Sequence, residues 1–464
     1  MSGPAAGGGP ESRHAPPRSR VNPVNSWEKL RGAAFGDASA DLPGSPPGVV
    51  LGRQHSALYR TDPLRPVLVI GPQRSRKTTS IAIPTLLEWP GPAVVTSIRA
   101  DLLAGTYQKR SEQGEAVAYE PMKTILDPDR RINWNPLQDC RTWDGAISTS
   151  RALTESGALN LREGEFWFGL AASALAPMLF AAAANNYIMS DVVRWVKTQE
   201  EFEIRSLLTA TGEERPLESF EAVTQMEARL QSSVYGTCMS VLRAFDYDSV
   251  CESSVDGFSV DGFFNGAANT LYLCAPPDYQ KELAPLFVTL VKRILKEAYA
   301  RDARGEMMAP LLVLLDEAAN IAPLASLGTL ASTAAGCGIQ LVSVFHDLSQ
   351  MVDLYGEPGA MSIANNHSAL LVLPGSRDTR TIDLVRSMVG DDSIEGGSET
   401  CGNSANASFI RRLPHGHGLC IYENNPPTML TLRSSTHDAD LLEVARGEGG
   451  VSRLTGFRGG TARS

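Results

Sequence analysis

Val67-Leu-Val-Ile-Gly71-Pro-Gln-Arg-Ser-Arg-Lys77-Thr-Thr79 is the stretch that decides the fold of this chain. Val67–Ile70 is a short apolar, mostly β-branched run, which predicts a buried strand, and a helical pattern follows from Lys77 to Glu88. A strand that turns through a loop into a helix is the setting of the template G-x-x-x-x-G-K-[ST], and Gly71, Lys77 and Thr78 fall in its register. Backbone amides across such a loop, those of Gln73, Arg74, Ser75, Arg76 and Thr79 included, cradle phosphates at a helix N-terminus, where partial positive charge favours anions. Lys77 is expected to reach the β- and γ-phosphates of ATP, and the Thr78 hydroxyl to ligate Mg²⁺.

One position breaks the template. Arg76 stands where the second glycine belongs. If that position demands positive φ, a side chain there costs about 1 kcal/mol or more. Two readings of the arginine stand side by side: its charge joins the phosphate contacts, or its bulk takes the nucleotide's space.

Further along, Leu311-Leu-Val-Leu-Leu315 ends in Asp316-Glu317. A buried strand delivering two acids at its C-terminal end suits a Walker B element. Asp316 would stand beside Mg²⁺, and Glu317 would polarise a water for attack on the γ-phosphate. Acids in the first turn of an ordinary helix give the same pattern, because the helix dipole favours them. Two such elements on one sheet favour the site. The strand Ile339–Phe345 runs into His346. In RecA-like cores a polar residue at this strand end can sense the γ-phosphate, and a histidine can hydrogen-bond phosphate. A strand-end histidine without that task fits equally well. Gln350, one turn on, is a second candidate.

Outward from these motifs the chain alternates strands and helices. Ala93–Thr96, Thr270–Cys274 and Ala369–Leu373 read as further strands, and Asp101–Arg110 and Ala284–Arg301 as helices. That alternation signals a parallel sheet. Residues 144–250 change character to long Ala/Leu/Met-rich helical patterns. The expected organisation is an α/β nucleotide-binding domain over 49–143 and 251–440, an inserted all-α domain over 144–250, a disordered leader over 1–48 (weakly basic at Arg13, Arg18 and Arg20) and a Gly/Arg-rich tail over 447–464.

Composition sets limits. With 464 residues, 43% hydrophobic and a net charge of −10, the chain offers no overall field for nucleic acid. DNA contact would need a local basic surface or a pore made by assembly. Seven scattered cysteines (140, 238, 251, 274, 337, 401 and 420), with no CxxC pairing and no secretory signal, read as reduced thiols in a cytoplasmic protein. His415-Gly-His417 has no second ligand cluster and reads as a solvated turn. The 19 uncharged residues from Phe166 to Ala184 are long enough to span a bilayer. They are Ala-rich, carry Pro177 and lack basic flanks, so they read as a buried helix.

Several segments together resemble one family. GPQRSRKTTSIAIPTLLEWPGPAVVTS (71–97), INWNPL (132–137), FWFGLAASALAPMLFAAA (166–183), LLVLLDEAANIAPLASLGTLASTAAGCGIQLVSVFHDLSQM (311–351) and YGEPGAMSIANNHSALLVLPG (355–375) look like type IV coupling proteins, conjugative DNA-transfer ATPases, and among these the actinobacterial branch. The resemblance covers roughly residues 50 to 435 in one order. It implies a RecA-like P-loop NTPase core with an inserted all-α domain that helps engage substrate, and assembly as a homo-hexamer. It also implies delivery of a relaxase-bound single strand of DNA to the channel proteins of a type IV secretion system, driven by ATP and Mg²⁺. No membrane span of the chain's own is expected; partners would bring it to the inner face of the cell membrane.

The chain departs from that family at Arg76, at His346 where Gln is common, and before Gly338, where Ala334, Ala335, Gly336 and Cys337 stand in place of an arginine finger. The family's usual N-terminal membrane anchor is not expected in it either. Two functional classes follow. One is an ATP-driven motor, and the other is a non-hydrolysing nucleotide-binding adaptor that recruits cargo.

Overall fold

In the computed structural model the described residues are 48–98, 101–159, 161, 163–390 and 407–446. Apart from Gly48, the expected leader and tail lie outside them, as does Cys401. Eleven strands form one sheet: β1 Val50–Gln54, β2 Ala57–Arg60, β3 Val67–Ile70, β4 Ala93–Ser97, β5 Ala116–Tyr119, β6 Thr270–Cys274, β7 Leu311–Leu315, β8 Ile339–Phe345, β9 Ala369–Val372, β10 His417–Tyr422 and β11 Thr428–Thr431. Their order is β2-β1-β11-β10-β9-β3-β8-β7-β4-β6-β5.

From β9 to β5 every pairing is parallel, whereas β10, β11, β1 and β2 join antiparallel. The parallel strands are covered on both faces, so β3, β4, β7 and β8 are buried along their whole length. Alternate residues feed two cores: Val67 and Val69 face one, Leu68 and Ile70 the other. The six strands expected from sequence all form. β1, β2, β5, β10 and β11 were not among them, being short or mixed in polarity. His417 was expected in a turn with His415, yet it opens β10, because it lies across from Thr431 of β11.

The helix expected from Lys77 to Glu88 opens differently. Thr78–Ala82 form one turn of π-helix before an α-helix over Ile83–Glu88. Pro84 accounts for the break in register, since it has no N–H to return to the preceding turn. Helices from Trp143 to Phe263 form a separate layer. Within it Gly164–Ala184, the one helix among the described residues apolar and long enough to cross a membrane, has two thirds of its apolar window buried inside the protein. The chain's way into and out of this layer is tied together: Trp134 N–H donates to Ser253 O at 3.0 Å and Phe258 N–H to Asn133 O at 2.8 Å. A second tie runs from Glu155, on the helix Trp143–Ala158, which accepts the Ala325 N–H at 2.7 Å and pairs with Lys292.

His367 lies buried behind β8. Its Nδ1 donates to Ile363 O at 2.7 Å and its Nε2 accepts from the Ser343 hydroxyl at 3.1 Å, an arrangement that suits the neutral ring. Burial pulls its pKa down from 6.5 to about 4. Below 6.5 the unfolded chain therefore takes up a proton that the folded chain refuses. Stability is lost as pH falls from 6.5 towards 4, by up to about 3 kcal/mol in all. Urea unfolding between pH 7 and 4.5 is expected to show a shallower pH slope in His367→Gln than in the natural chain; equal slopes would exclude this histidine.

Candidate functional site

The C-terminal ends of β3, β7 and β8 converge on one edge of the sheet, where crevices of open parallel sheets take ligands. β3 delivers the loop Gly71–Lys77. Gly71 is required by space: a Cβ there would lie 2.6 Å from Ser75 Oγ and 2.8 Å from Leu373 Cβ. Arg74 and Arg76 both adopt positive φ, at 64° and 72°. The strain attached to the missing second glycine is therefore present. The Gln73, Arg74 and Arg76 side chains are exposed, while Ser75 is buried with its hydroxyl unpartnered.

Lys77 is buried, and its three N–H groups are all engaged. It donates to Gly71 O at 2.6 Å, to Pro72 O at 3.0 Å and to His346 Nδ1 at 3.0 Å. Burial lowers its pKa, with the charges of Glu317, Asp316 and Asp347 acting the other way. Because the ammonium donates to Nδ1, the proton of neutral His346 sits on Nε2, which meets Glu317 Oε2 at 2.8 Å. Lys77, His346 and Glu317 thus form one hydrogen-bonded chain. Glu317 sits at φ 58°, and Asn320 Nδ2 also donates to it at 3.3 Å. A left-handed non-glycine residue two positions past a buried strand is costly, and such outliers concentrate at functional sites.

Asp316 and Thr78 meet beside this chain. The Thr78 hydroxyl donates to Asp316 Oδ2 at 2.8 Å, and Thr96 donates to the Asp316 carbonyl at 2.6 Å. Asp316 Oδ1 is buried with no hydrogen-bond partner. Burial raises the Asp316 pKa to about 6, opposed by the Thr78 hydrogen bond. A hydroxyl and an orphaned carboxylate oxygen are hard donors suited to Mg²⁺. Residues and metal fit.

Gln350 takes another post. Its side-chain oxygen accepts the His346 backbone N–H at 3.0 Å, so it holds the strand end from behind. Thr79 directs its carbonyl to Ser435 N–H at 3.0 Å. That contact, like that of Thr96 with Asp316, carries no local sequence signal, since it depends on which strands lie side by side.

Residues 36–409 match the model of the family described as Type IV secretory system Conjugative DNA transfer. Protein VirD4 of Agrobacterium fabrum (strain C58 / ATCC 33970) is 23% identical over 389 residues, which span 78% of this chain and 54% of VirD4. The chain thus spans about half the length of that relative. In three dimensions it is similar to the bacterial conjugative coupling protein TrwBdeltaN70 in its unbound monoclinic form, with TM-score 0.65, 19% identity and coverage of 88% of this chain and 91% of that one. It is likewise similar to the plasmid coupling protein TrwB in complex with ADP and Mg²⁺, with TM-score 0.64, 17% identity and coverage of 88% and 92%. The likeness establishes the RecA-like P-loop fold.

Proposed function

As the chain belongs to the family of type IV secretory system conjugative DNA transfer proteins, we propose that it is an ATP-dependent coupling protein. In this reading it recruits a relaxase-bound single strand of DNA and drives it toward a type IV secretion channel. The observation that carries this is the joining of phosphate loop and acidic strand end through Thr78–Asp316 and Lys77–His346–Glu317. ATP is the substrate. Mg²⁺, held by Thr78 and Asp316, would supply charge neutralisation on its phosphates.

The residues then act as follows. Lys77 exchanges its bonds to the Gly71 and Pro72 carbonyls for phosphate oxygens. Thr78 turns its hydroxyl from Asp316, freeing both carboxylate oxygens. Glu317 orients a water and takes its proton, and His346 holds the carboxylate through Nε2. Gln350 keeps His346 in place. The helical layer, corresponding to the inserted domain 144–250, engages the DNA cargo. A homo-hexameric ring supplies the basic pore that a chain of net charge −10 lacks singly. The protein works on the cytoplasmic side, meeting the inner face of the membrane through channel partners.

One observation favours a second reading, the non-hydrolysing adaptor. Lys77 is fully engaged by its own loop and His346, beside a strained Arg76. Titration with Mg²⁺ and a fluorescent ATP analogue, followed by a phosphate-release assay with single-stranded DNA, separates the two. Binding with DNA-stimulated turnover is expected. Binding without turnover would establish the adaptor, and no binding would overturn both.

A further inference from the structure

The phosphate loop has two flanks. β8 and β7 lie on one side of β3 and carry His346, Asp316 and Glu317; β9, β10 and β11 lie on the other. β9 is parallel to β3, while β10 runs antiparallel to both β9 and β11. β11 therefore points the same way as β3, and the residues after it emerge at the edge that holds the phosphate loop. Those residues are Ser434-Ser-Thr-His437.

They are bound to the helix that follows the loop. In its opening π-turn Ile83 N–H bonds Thr78 O, and the next residue, Pro84, has no N–H to give to Thr79. The Thr79 carbonyl is left without a helical partner, and Ser435 N–H takes it. Both ends of the turn are clamped. Arg433, buried, pairs with Glu88 at 2.6 Å and with Asp438 at 3.3 Å, and Asp438 also pairs with Arg53 at 3.5 Å. Asp438 N–H and His437 N–H both return to Ser434 O, at 2.8 and 3.1 Å.

What this rigid turn presents outward is polar. Thr436 Oγ1 lies 2.7 Å and Ser434 Oγ 3.3 Å from His437 Nδ1, and the two hydroxyls are 2.9 Å apart. His437 is exposed, and Nδ1 is the ring nitrogen that meets the hydroxyls. A nucleotide whose γ-phosphate points to Asp316 and Glu317 leaves its α-phosphate and nucleoside on the opposite flank, over Thr79. We propose that the Ser434–His437 turn is the nucleoside wall of the site, with the hydroxyls facing the ribose and the imidazole against the base of a ribonucleoside triphosphate. This rests on the nucleotide reading above.

Calorimetric titration of the full chain with ATP and with inorganic tripolyphosphate, both with Mg²⁺, tests it in the natural protein, in His437→Ala and in the double variant Ser434→Ala/Thr436→Val. His437 is exposed, so its removal leaves the fold alone. ATP is expected to bind about tenfold more weakly to His437→Ala, the loss of one hydrogen bond or ring contact, with tripolyphosphate unchanged. The double variant is expected to lose ATP affinity in the same selective way. Unchanged ATP affinity would overturn the proposal. So would an equal loss for both ligands, since the turn would then merely brace Thr79. If the natural chain binds ATP and tripolyphosphate equally well, the nucleoside wall falls while the phosphate site stands. If it binds neither, the nucleotide reading falls and takes the wall with it.

Discussion

Glu317→Gln is expected to reduce DNA-stimulated ATP hydrolysis by about 10²- to 10⁴-fold, the range over which a positioned general base contributes. Binding of Mg²⁺ and ATP is expected to persist. The substitution is clean here because an amide oxygen can still accept from His346 Nε2 and from Asn320 Nδ2, as the carboxylate does. The Glu317 charge acts both ways, raising the pKa of buried Asp316 and supporting the buried Lys77 ammonium, so the two effects of removing it oppose each other. The variant should therefore melt close to the natural chain, and lost turnover could not be blamed on lost fold. Phosphate release with single-stranded DNA present, alongside a thermal melt, checks both parts. Turnover that continues at the natural rate would remove Glu317 from the chemistry.

Arg76→Gly separates strain from function at the irregular loop position. At φ 72° the arginine backbone is in the region that glycine enters freely, so the glycine variant is expected to gain about 1 kcal/mol of folding stability. Affinity for Mg²⁺ and ATP is expected to move the other way. The Arg76 side chain is exposed at the loop that would hold the phosphates, and a charge-assisted hydrogen bond contributes about 1.5–3 kcal/mol, or roughly 10- to 100-fold in binding. A protein that retains strain at a binding loop commonly does so for function. Denaturant melts and nucleotide titrations of the two proteins read both effects. Tighter binding or a strong rise in turnover in the glycine variant would make Arg76 a brake.

How much of this was legible in the sequence follows from burial. β3, β4, β7 and β8 are covered on both faces, so each is a continuous apolar run that stands out from helices and turns. β2, with the pattern exposed, half-buried, half-buried, exposed, has no such run. β10 does hold an apolar run, Leu419–Tyr422, but it opens on the polar His417 within an H-x-H pattern that reads as a turn. The site divides the same way. Gly71, Lys77, Thr78, Asp316 and Glu317 belong to spaced motifs whose chemistry constrains residue type. The meeting of Ser435 with Thr79 arises from strand order and chain direction, for which no local spacing is a proxy, and neither the positive φ of Glu317 nor the choice of the His346 N–H as partner of Gln350, four residues on, is set by residue type alone.

The tie between Asn133–Trp134 and Ser253–Phe258 carries a consequence of its own. Where a long excursion leaves and rejoins a sheet at points already within hydrogen-bonding distance, closing the gap after its removal asks for a very short loop, and doubling a loop's length costs only about 0.6 kcal/mol. Such a segment behaves as a cassette with two attachments, its base and the meeting of Glu155 with Ala325 and Lys292. A replacement that keeps both would leave the phosphate loop and its acids in place.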